Sequence, residues 1–455
     1  MKNRSAMTEG TEWKLILFFT LPIMAGNFLQ QLYNAVDGII VGNYVSEAAF
    51  TAVGACHPLV MLFLGLSIGM SAGCSILISQ YYGANALTDL RKAVSTSLFL
   101  MGGLGLFLSV AGGVVARWLM SFVLQVPHSL LADASAYFSI YCLGLIFQFI
   151  YNGVAAILRS IGDSKATLYF LAISALTNVL LDLLFVLAFH MGVVGVAIAT
   201  VIAQALSAVV SLLYMFRRYE LFRFRKGEFR FYKDKGLIAL RLGIPTTLQQ
   251  SVVSLGSLTV QRLINSFGET VMGAFTAGFR IQQFITIPLF AFSIGISTFT
   301  GQNVGAEKLD RVSSGLRQTL VMSLSVCVCL AGLSCLFAQP LVSLFGLTGE
   351  TQTLGVRYLW DVAPLLVLFT LHHTLVSLLQ GAGDVRFTAA TTLVNLVVRI
   401  AMSYTLALCT PLAFRGTWLG MPFGWLVGLT LSILRYRSGV WKSKSLVKKE
   451  ELPGE

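Results

Sequence analysis

The first apolar run of the chain is interrupted by a polar cluster, "FLQQLYNAVDGIIVG", in which Gln30, Gln31, Asn34 and Asp37 stand among aliphatic residues. Asp37 is the only acidic or basic residue between Lys14 and Glu47. Gln30, Asn34 and Asp37 are spaced i, i+4, i+7 and share one face of a helix. Further on, "ALTNVLLDLLF" sets Asn178 and Asp182 four residues apart, and Thr200 and Gln204 repeat that interval. A carboxylate at the centre of a membrane-spanning helix costs on the order of 2.5–3.5 kcal/mol, and such residues line cavities or ion paths. Burial favours the neutral form of a carboxyl, and a second carboxylate nearby strengthens that preference in one of the two. Two carboxyls with neutral oxygens beside them suit a proton or a hard monovalent cation such as sodium. Asp37, Asn178, Asp182 and Thr200 are therefore the candidate coupling set. The bland alternative is an Asp37 that lies near the outer interface and is simply wet.

The second half of the chain offers other groups. Arg399 aligns with Asn178, Ser403 with Asp182, His373 with Asn152, and Val260 falls near the Asp37 position. Gln30, Asn34, Asn152, Gln204, Arg280, Gln283, His373 and Arg399 are candidates to line a substrate cavity, with bracing between helices the competing role for Arg399. His372–His373 could titrate near neutral pH, but no metal site is expected. No GxxxxGK[ST], HExxH or Ser/His/Asp signature occurs, so neither ATP hydrolysis at a P-loop nor an enzyme is expected, and no cofactor. "IGDSK" and "AGDVR" read as helix stops and caps rather than phosphate cradles.

The elements that carry these residues follow from composition. Hydrophobic residues make up 56% of 455 and charged ones 11%, with mean hydropathy +0.78, whereas a soluble domain is about a quarter charged. Apolar stretches of about 20 residues, enough to cross a hydrocarbon core, recur along the whole chain. Twelve spans are expected, near 15–41, 52–79, 94–116, 136–158, 167–190, 193–215, 238–262, 271–299, 318–338, 358–379, 388–410 and 416–435. The polar start "MKNRSAMTEGTEWK" precedes no cleavage-like region, so the first run is expected to stay in the membrane. The seven cysteines lie in apolar runs without a CxxC pair and read as small buried hydrophobes.

Lys and Arg gather at Lys2, Arg4 and Lys14, at Arg91–Lys92, at Arg159 and Lys165, and throughout "RRYELFRFRKGEFRFYKDK". They recur at Lys308, Arg311, Arg317 and Arg386 and from Arg435 to Lys449, while the alternate connections hold chiefly Arg117, Arg357 and Arg415. By the positive-inside rule both termini and every even-numbered connection are cytoplasmic. The net charge of +12 thus records topology and contact with anionic membrane lipids, not nucleic acid.

The chain also repeats itself. "LPIMAGNFLQQ" matches "IPTTLQQSVVS", "SQYYGANALTDLRKAV" matches "GQNVGAEKLDRVSSGL", and "ILRSIGDSKAT" matches "LLQGAGDVRFT", at an offset near 221 to 223. Six spans per half make the repeats parallel. The expected fold is an all-α integral membrane protein of about twelve transmembrane helices in two pseudo-symmetric six-helix lobes around a central cleft. The N-lobe takes 1–216, a basic cytoplasmic linker 217–236, the C-lobe 237–438 and a cytoplasmic tail 439–455. Pro22 and Pro245, at matching positions early in spans 1 and 7, are candidate bends.

The set "LPIMAGNFLQQLYNAVDGIIVG", "LRSIGDSKAT", "TNVLLDLLF" and "GVAIATVIAQ" on a six-plus-six frame resembles the multidrug and toxic-compound extrusion (MATE) family, over about Trp13 to Arg437. The resemblance implies secondary active efflux across the cell membrane, in which protons or sodium flowing inward drive out amphipathic, often cationic drugs. In the family's DinF-type branch an N-lobe ion site has an Asp in span 1, an Asn and Asp in span 5 and a Thr in span 6, which match Asp37, Asn178, Asp182 and Thr200. The NorM-type branch has acidic residues in spans 7 and 10; here span 7 has none, and Asp361 stands near the outer start of span 10. N-lobe coupling in a monomer is the resulting expectation. The alternative is a flippase of lipid-linked glycan precursors, which would suit the cationic Arg280 and Arg399.

Overall fold

The computed structural model describes residues 7–225 and 227–447, and for Asn34, Glu47, Ser254, Leu255 and Leu258 the backbone alone. Lys2, Arg4 and Lys449 of the basic pattern lie outside the described residues. The rest is helical, as apolar segments must be where no water can satisfy the backbone. The helices are α1 (Glu12–Tyr44), α2 (Glu47–Gly83), α3 (Leu87–Trp118), α4 (His128–Ser160), α5 (Ser164–Leu183), α6 (Gly192–Arg218) and α7 (Lys233–Asn265). They continue as α8 (Glu269–Gly305), α9 (Leu309–Leu336), α10 (Ala338–Ser343), α11 (Gly349–Val362), α12 (Leu366–Gly381), α13 (Val385–Cys409) and α14 (Phe414–Arg437).

Among the described residues eleven helical segments are long and apolar enough to cross a membrane, α11 and α12 counting as one. The 33-residue α7 supplies the twelfth expected span; Gln249 and Gln250, with neighbouring Ser and Thr, make it the most polar. The tenth span starts earlier than expected and is broken by a 3-10 turn over Ala363–Leu365. Pro364 explains the break, because its ring excludes a helical carbonyl and it has no N–H to donate. The chain is a multi-pass membrane protein.

Helix ends repeat between the halves. A left-handed residue closes the α2–α3 turn at Asn85 (φ 57) and the α8–α9 turn at Glu307 (φ 58). Gly162 (φ 93) and Gly383 (φ 97) do the same before α5 and α13, where glycine carries no steric penalty. Asp163 then caps α5 by accepting from Ala166 N at 3.1 Å. Asp384 makes no such cap and instead binds Arg435 through Nε and Nη2 at 2.7 and 3.2 Å. The reading of both motifs as helix stops holds, and that of both as caps holds only for the first.

Contacts divide the chain into a first unit of Leu21–Thr247 and a second of Leu248 onward with the stretch ending at Thr20. The segment expected as a linker packs with the first unit and the first turns of α1 with the second. In the first unit α4 packs against α2, α3 and α6, and α5 against α6, around Cys56, Phe63, Met120 and Phe138. In the second, α8 packs against α9, α11 and α12, and α14 against α13 and α12, around Phe275, Tyr358, Trp418 and Trp425. Outward faces are apolar, with Val114 and Leu344 each 80% exposed, as a lipid-facing surface requires. All seven cysteines are free; Cys329 and Cys409 are exposed rather than buried, which lipid permits because a thiol is nearly apolar.

Polar segments fasten the helix ends. Ser95 Oγ accepts from Arg230 N at 2.9 Å, Thr96 Oγ1 from Tyr232 N at 3.1 Å, and Lys235 pairs with Asp89 at 2.9 Å. In the second unit Met7 N donates to Gln302 Oε1 at 2.7 Å and Arg311 pairs with Glu12 at 3.3 Å. After α6, Tyr219 donates to Asp163 Oδ2 at 2.7 Å. Burial and that carboxylate hold the Tyr219 hydroxyl well above the usual phenol range.

Candidate functional site

Three helices of the first unit bring the candidate coupling residues together. Asp37 lies on α1, Asn178 and Asp182 on α5, and Thr200 on α6. Asp182 is 0% exposed and Asn178 1%, while Asp37 is half-buried. The Asn178 amide satisfies both neighbours when its nitrogen donates to Asp182 Oδ2 at 3.1 Å and its oxygen accepts from Thr200 N at 3.2 Å. Thr200 Oγ1 donates to Val196 O at 3.0 Å, which fixes its rotamer. The carboxyls of Asp37 and Asp182 lie within hydrogen-bonding reach of each other, and the Oδ1 of each is buried with no partner.

The chemistry of this pair follows from charge. Among the described residues no ion pair includes Asp37 or Asp182. Two bare carboxylates at contact repel, more strongly where water is scarce. The arrangement becomes favourable when one proton, or one small cation ligated by oxygens, is held between them. Carboxylate, amide and hydroxyl oxygens are the donor set that hard cations take.

Two further groups complete the surroundings. Tyr33, one helical turn before Asp37, has its hydroxyl within hydrogen-bonding reach of Thr200 and close to both carboxyls. Tyr137 of α4 lies close to Asp37 and Tyr33. The sequence analysis passed over Tyr33, although its i, i+4 relation to Asp37 was the signal that picked out the other pairs.

The remaining candidates of this unit are dispersed. Gln30 is exposed; the side chain of Asn34 lies outside the described residues. Asn152 donates to Ser67 Oγ at 3.1 Å and ties α4 to α2. Gln204 keeps a buried Oε1 without a partner.

The second unit differs at each corresponding position. Val260 is buried, and Ser403 donates to Thr417 O at 2.9 Å. Arg399 is half-buried, with a buried Nε that has no hydrogen-bond partner. His373 sits beside the rings of Phe290 and Phe369, at centroid distances of 4.9 and 4.7 Å. Its neighbour His372 shares a hydrogen bond with Asn395 at 3.1 Å. Arg280 and Gln283 are exposed; the adjacent Gln282 is the buried one and accepts from the Tyr358 hydroxyl. Asp361 is fully engaged: Arg415 binds it through Nε and Nη2 at 3.0 and 2.8 Å, Trp418 Nε1 at 3.1 Å and Arg357 at 3.4 Å. It therefore has no free carboxylate to offer an ion.

A stripe of glycines was also missed. Gly416, Gly420, Gly424 and Gly428 recur every fourth residue on α14, the spacing that lets helices in membranes approach closely. A Cβ on Gly424 would stand 2.5 Å from Asn395 Oδ1, and one on Gly428 2.6 Å from the His372 ring. The stripe seats α14 directly on the polar side chains of α12 and α13.

Comparison with known proteins agrees with this architecture. The MatE family model matches residues 22–184 and again 245–405, two stretches that begin at Pro22 and Pro245 and reproduce the internal repeat. The chain is 27% identical over 439 residues to the probable multidrug resistance protein YpnP of Bacillus subtilis (strain 168), covering 96% of this chain and 98% of that one. It is 28% identical over 444 residues to the probable multidrug resistance protein YoeA of the same organism, covering 96% of each. A solved structure, the outward-facing conformation of a multidrug resistance MATE family transporter of the MOP superfamily, shares the fold with a TM-score of 0.90 at 23% identity, over 97% of this chain and 99% of that one. Matched twice by the family model and along nearly its whole length by these relatives, the chain belongs to the MatE family of membrane transporters.

Proposed function

We propose that the protein is a secondary active exporter that exchanges amphipathic, often cationic small molecules for protons or sodium by alternating access. Asp37, Asn178, Asp182 and Thr200 form its coupling site, as in the DinF-type branch. The observation that carries this reading is the buried, mutually close pair of Asp37 and Asp182 with no basic partner. Drug-like substrates are proposed from the multidrug resistance relatives, YpnP and YoeA.

The mechanism follows from electrostatics. Ionised together, the two aspartates repel each other and attract a cationic, apolar-bodied substrate. When a proton or sodium ion joins the pair, that attraction is lost and the substrate is released. The ion shifts the transporter between conformations only to the extent that it binds them with different affinity. Pro22 lies inside α1 and frees a backbone carbonyl there, so α1 has a point at which to bend as the charge on Asp37 changes. The distribution of Lys and Arg supports cytoplasmic termini in a cell membrane, and the protein works as a monomer.

Asp37→Asn tests the reading in proteoliposomes. Efflux driven by an imposed proton or sodium gradient is expected to vanish while membrane insertion and the thermal melt stay near wild type. Undiminished gradient-driven efflux by that variant would remove Asp37 from the mechanism.

A further inference from the structure

The second unit holds a charge that nothing around it answers. Arg399 lies near the middle of the 25-residue α13, about 15–20 Å from either end at 1.5 Å per residue. That distance is beyond the reach of a guanidinium snorkelling to an interface. Among the described residues no ion pair includes it, and its Nε is buried without a hydrogen-bond partner. The acids of the unit that face other helices are already taken, Asp361 by Arg415 and Asp384 by Arg435.

A bracing role does not account for this geometry. An arginine that braces helices donates to carbonyls or carboxylates of its neighbours, and Arg399 donates to none. Its surroundings are instead polar and short of acceptors. Asn395 lies one turn earlier on the same helix and shares its hydrogen bond with His372. Tyr358 stands within electrostatic reach of the guanidinium. Gly424 of α14 presses bare backbone against Asn395 and the Arg399 Cβ. An uncompensated buried cation is strongly destabilising unless an anion joins it, and the planar guanidinium fork matches a carboxylate through two parallel hydrogen bonds.

We propose that Arg399, with Asn395 and Tyr358 beside it, binds the carboxylate of an amphipathic substrate, so that the molecules exported include zwitterions and not cations alone. This assignment rests on the reading of the chain as an exporter of amphipathic molecules and narrows its substrate class. It also predicts a division of labour: carboxyls in the first unit for the ion and the cationic group, a guanidinium in the second for the anionic one.

The test uses a xanthene dye in two forms, the methyl ester (a cation) and the free acid (a zwitterion), with the purified full-length chain. Fluorescence polarisation is expected to give about tenfold tighter binding of the acid, as one added charge-assisted contact provides. In Arg399→Gln the acid-to-ester ratio is expected to fall to about one, and in Arg399→Lys, which keeps charge but loses the fork, to about threefold. Equal binding of the two forms by wild type, or a ratio that survives Arg399→Gln, overturns the proposal. Competition by a short polyprenyl diphosphate but not by the acid dye overturns the carboxylate assignment. Failure of the wild type to export either form under any ion gradient sinks the exporter reading itself; export of both with a ratio indifferent to Arg399 sinks only this inference.

Discussion

The two units of this transporter share backbone landmarks and differ in charge. Both carry a left-handed residue in the equivalent turn, Asn85 and Glu307, and both stop a helix at a Gly-Asp pair, Gly162–Asp163 and Gly383–Asp384. Yet Asp163 meets the hydroxyls of Tyr214 and Tyr219 where Asp384 meets Arg435. Deeper in, Asn178 and Asp182 of one repeat correspond to Arg399 and Ser403 of the other. The first unit buries acids without a base and the second a base without an acid. The difference teaches that turns and small-residue packing specify the frame, while a handful of side chains at equivalent depths decide what each half can bind.

The comparison is broken most decisively at its most buried acid. Asp182→Asn is expected to cut ion-driven transport at least ~100-fold, about 2.8 kcal/mol of lost ion affinity, in proteoliposomes under a fixed gradient. The corresponding Ser403→Ala should change transport by less than ~2-fold, since it removes one hydroxyl-to-carbonyl bond worth about 1 kcal/mol. Equal effects would erase the functional division between the units. Asp361→Ala is expected to lower stability by about 2–3 kcal/mol in a detergent melt, because Arg415, Arg357 and the Trp418 indole lose their common acceptor, while the protein that remains folded still couples. A smaller effect comes from packing. Gly428→Ala drives a methyl into the His372 ring and should cost about 1–3 kcal/mol, whereas Gly102→Ala, with nothing within 4 Å, should leave the melting temperature unchanged.

Much of the frame was legible because membrane spans are long apolar runs and repeats preserve turn chemistry. The twelve spans and the Gly-Asp stops were readable in that way. The break at Ala363–Leu365 was also written in Pro364, but within an apolar stretch it did not change the hydropathy. In the site, the spacing of Asn178 and Asp182 exposed them, because ionisable residues are rare enough in lipid to stand out. Tyr33 did not stand out: a tyrosine is ordinary in a membrane helix, and only the positions of Asp37 and Thr200 give its hydroxyl significance. The choice between Gln282 and Gln283 was likewise closed to sequence, since adjacent residues on a helix point about 100° apart and which one faces inward depends on the packing of α11.

Direct measurement of ion uptake by the purified chain tests the coupling site most sharply. Shifted from ion-free alkaline buffer to acid or to sodium, the wild type is expected to take up about one ion per chain beyond the Asp37→Asn/Asp182→Asn double variant, consistent with a pair of close carboxyls that cannot both stay bare. Identical uptake by the two proteins would contradict the account.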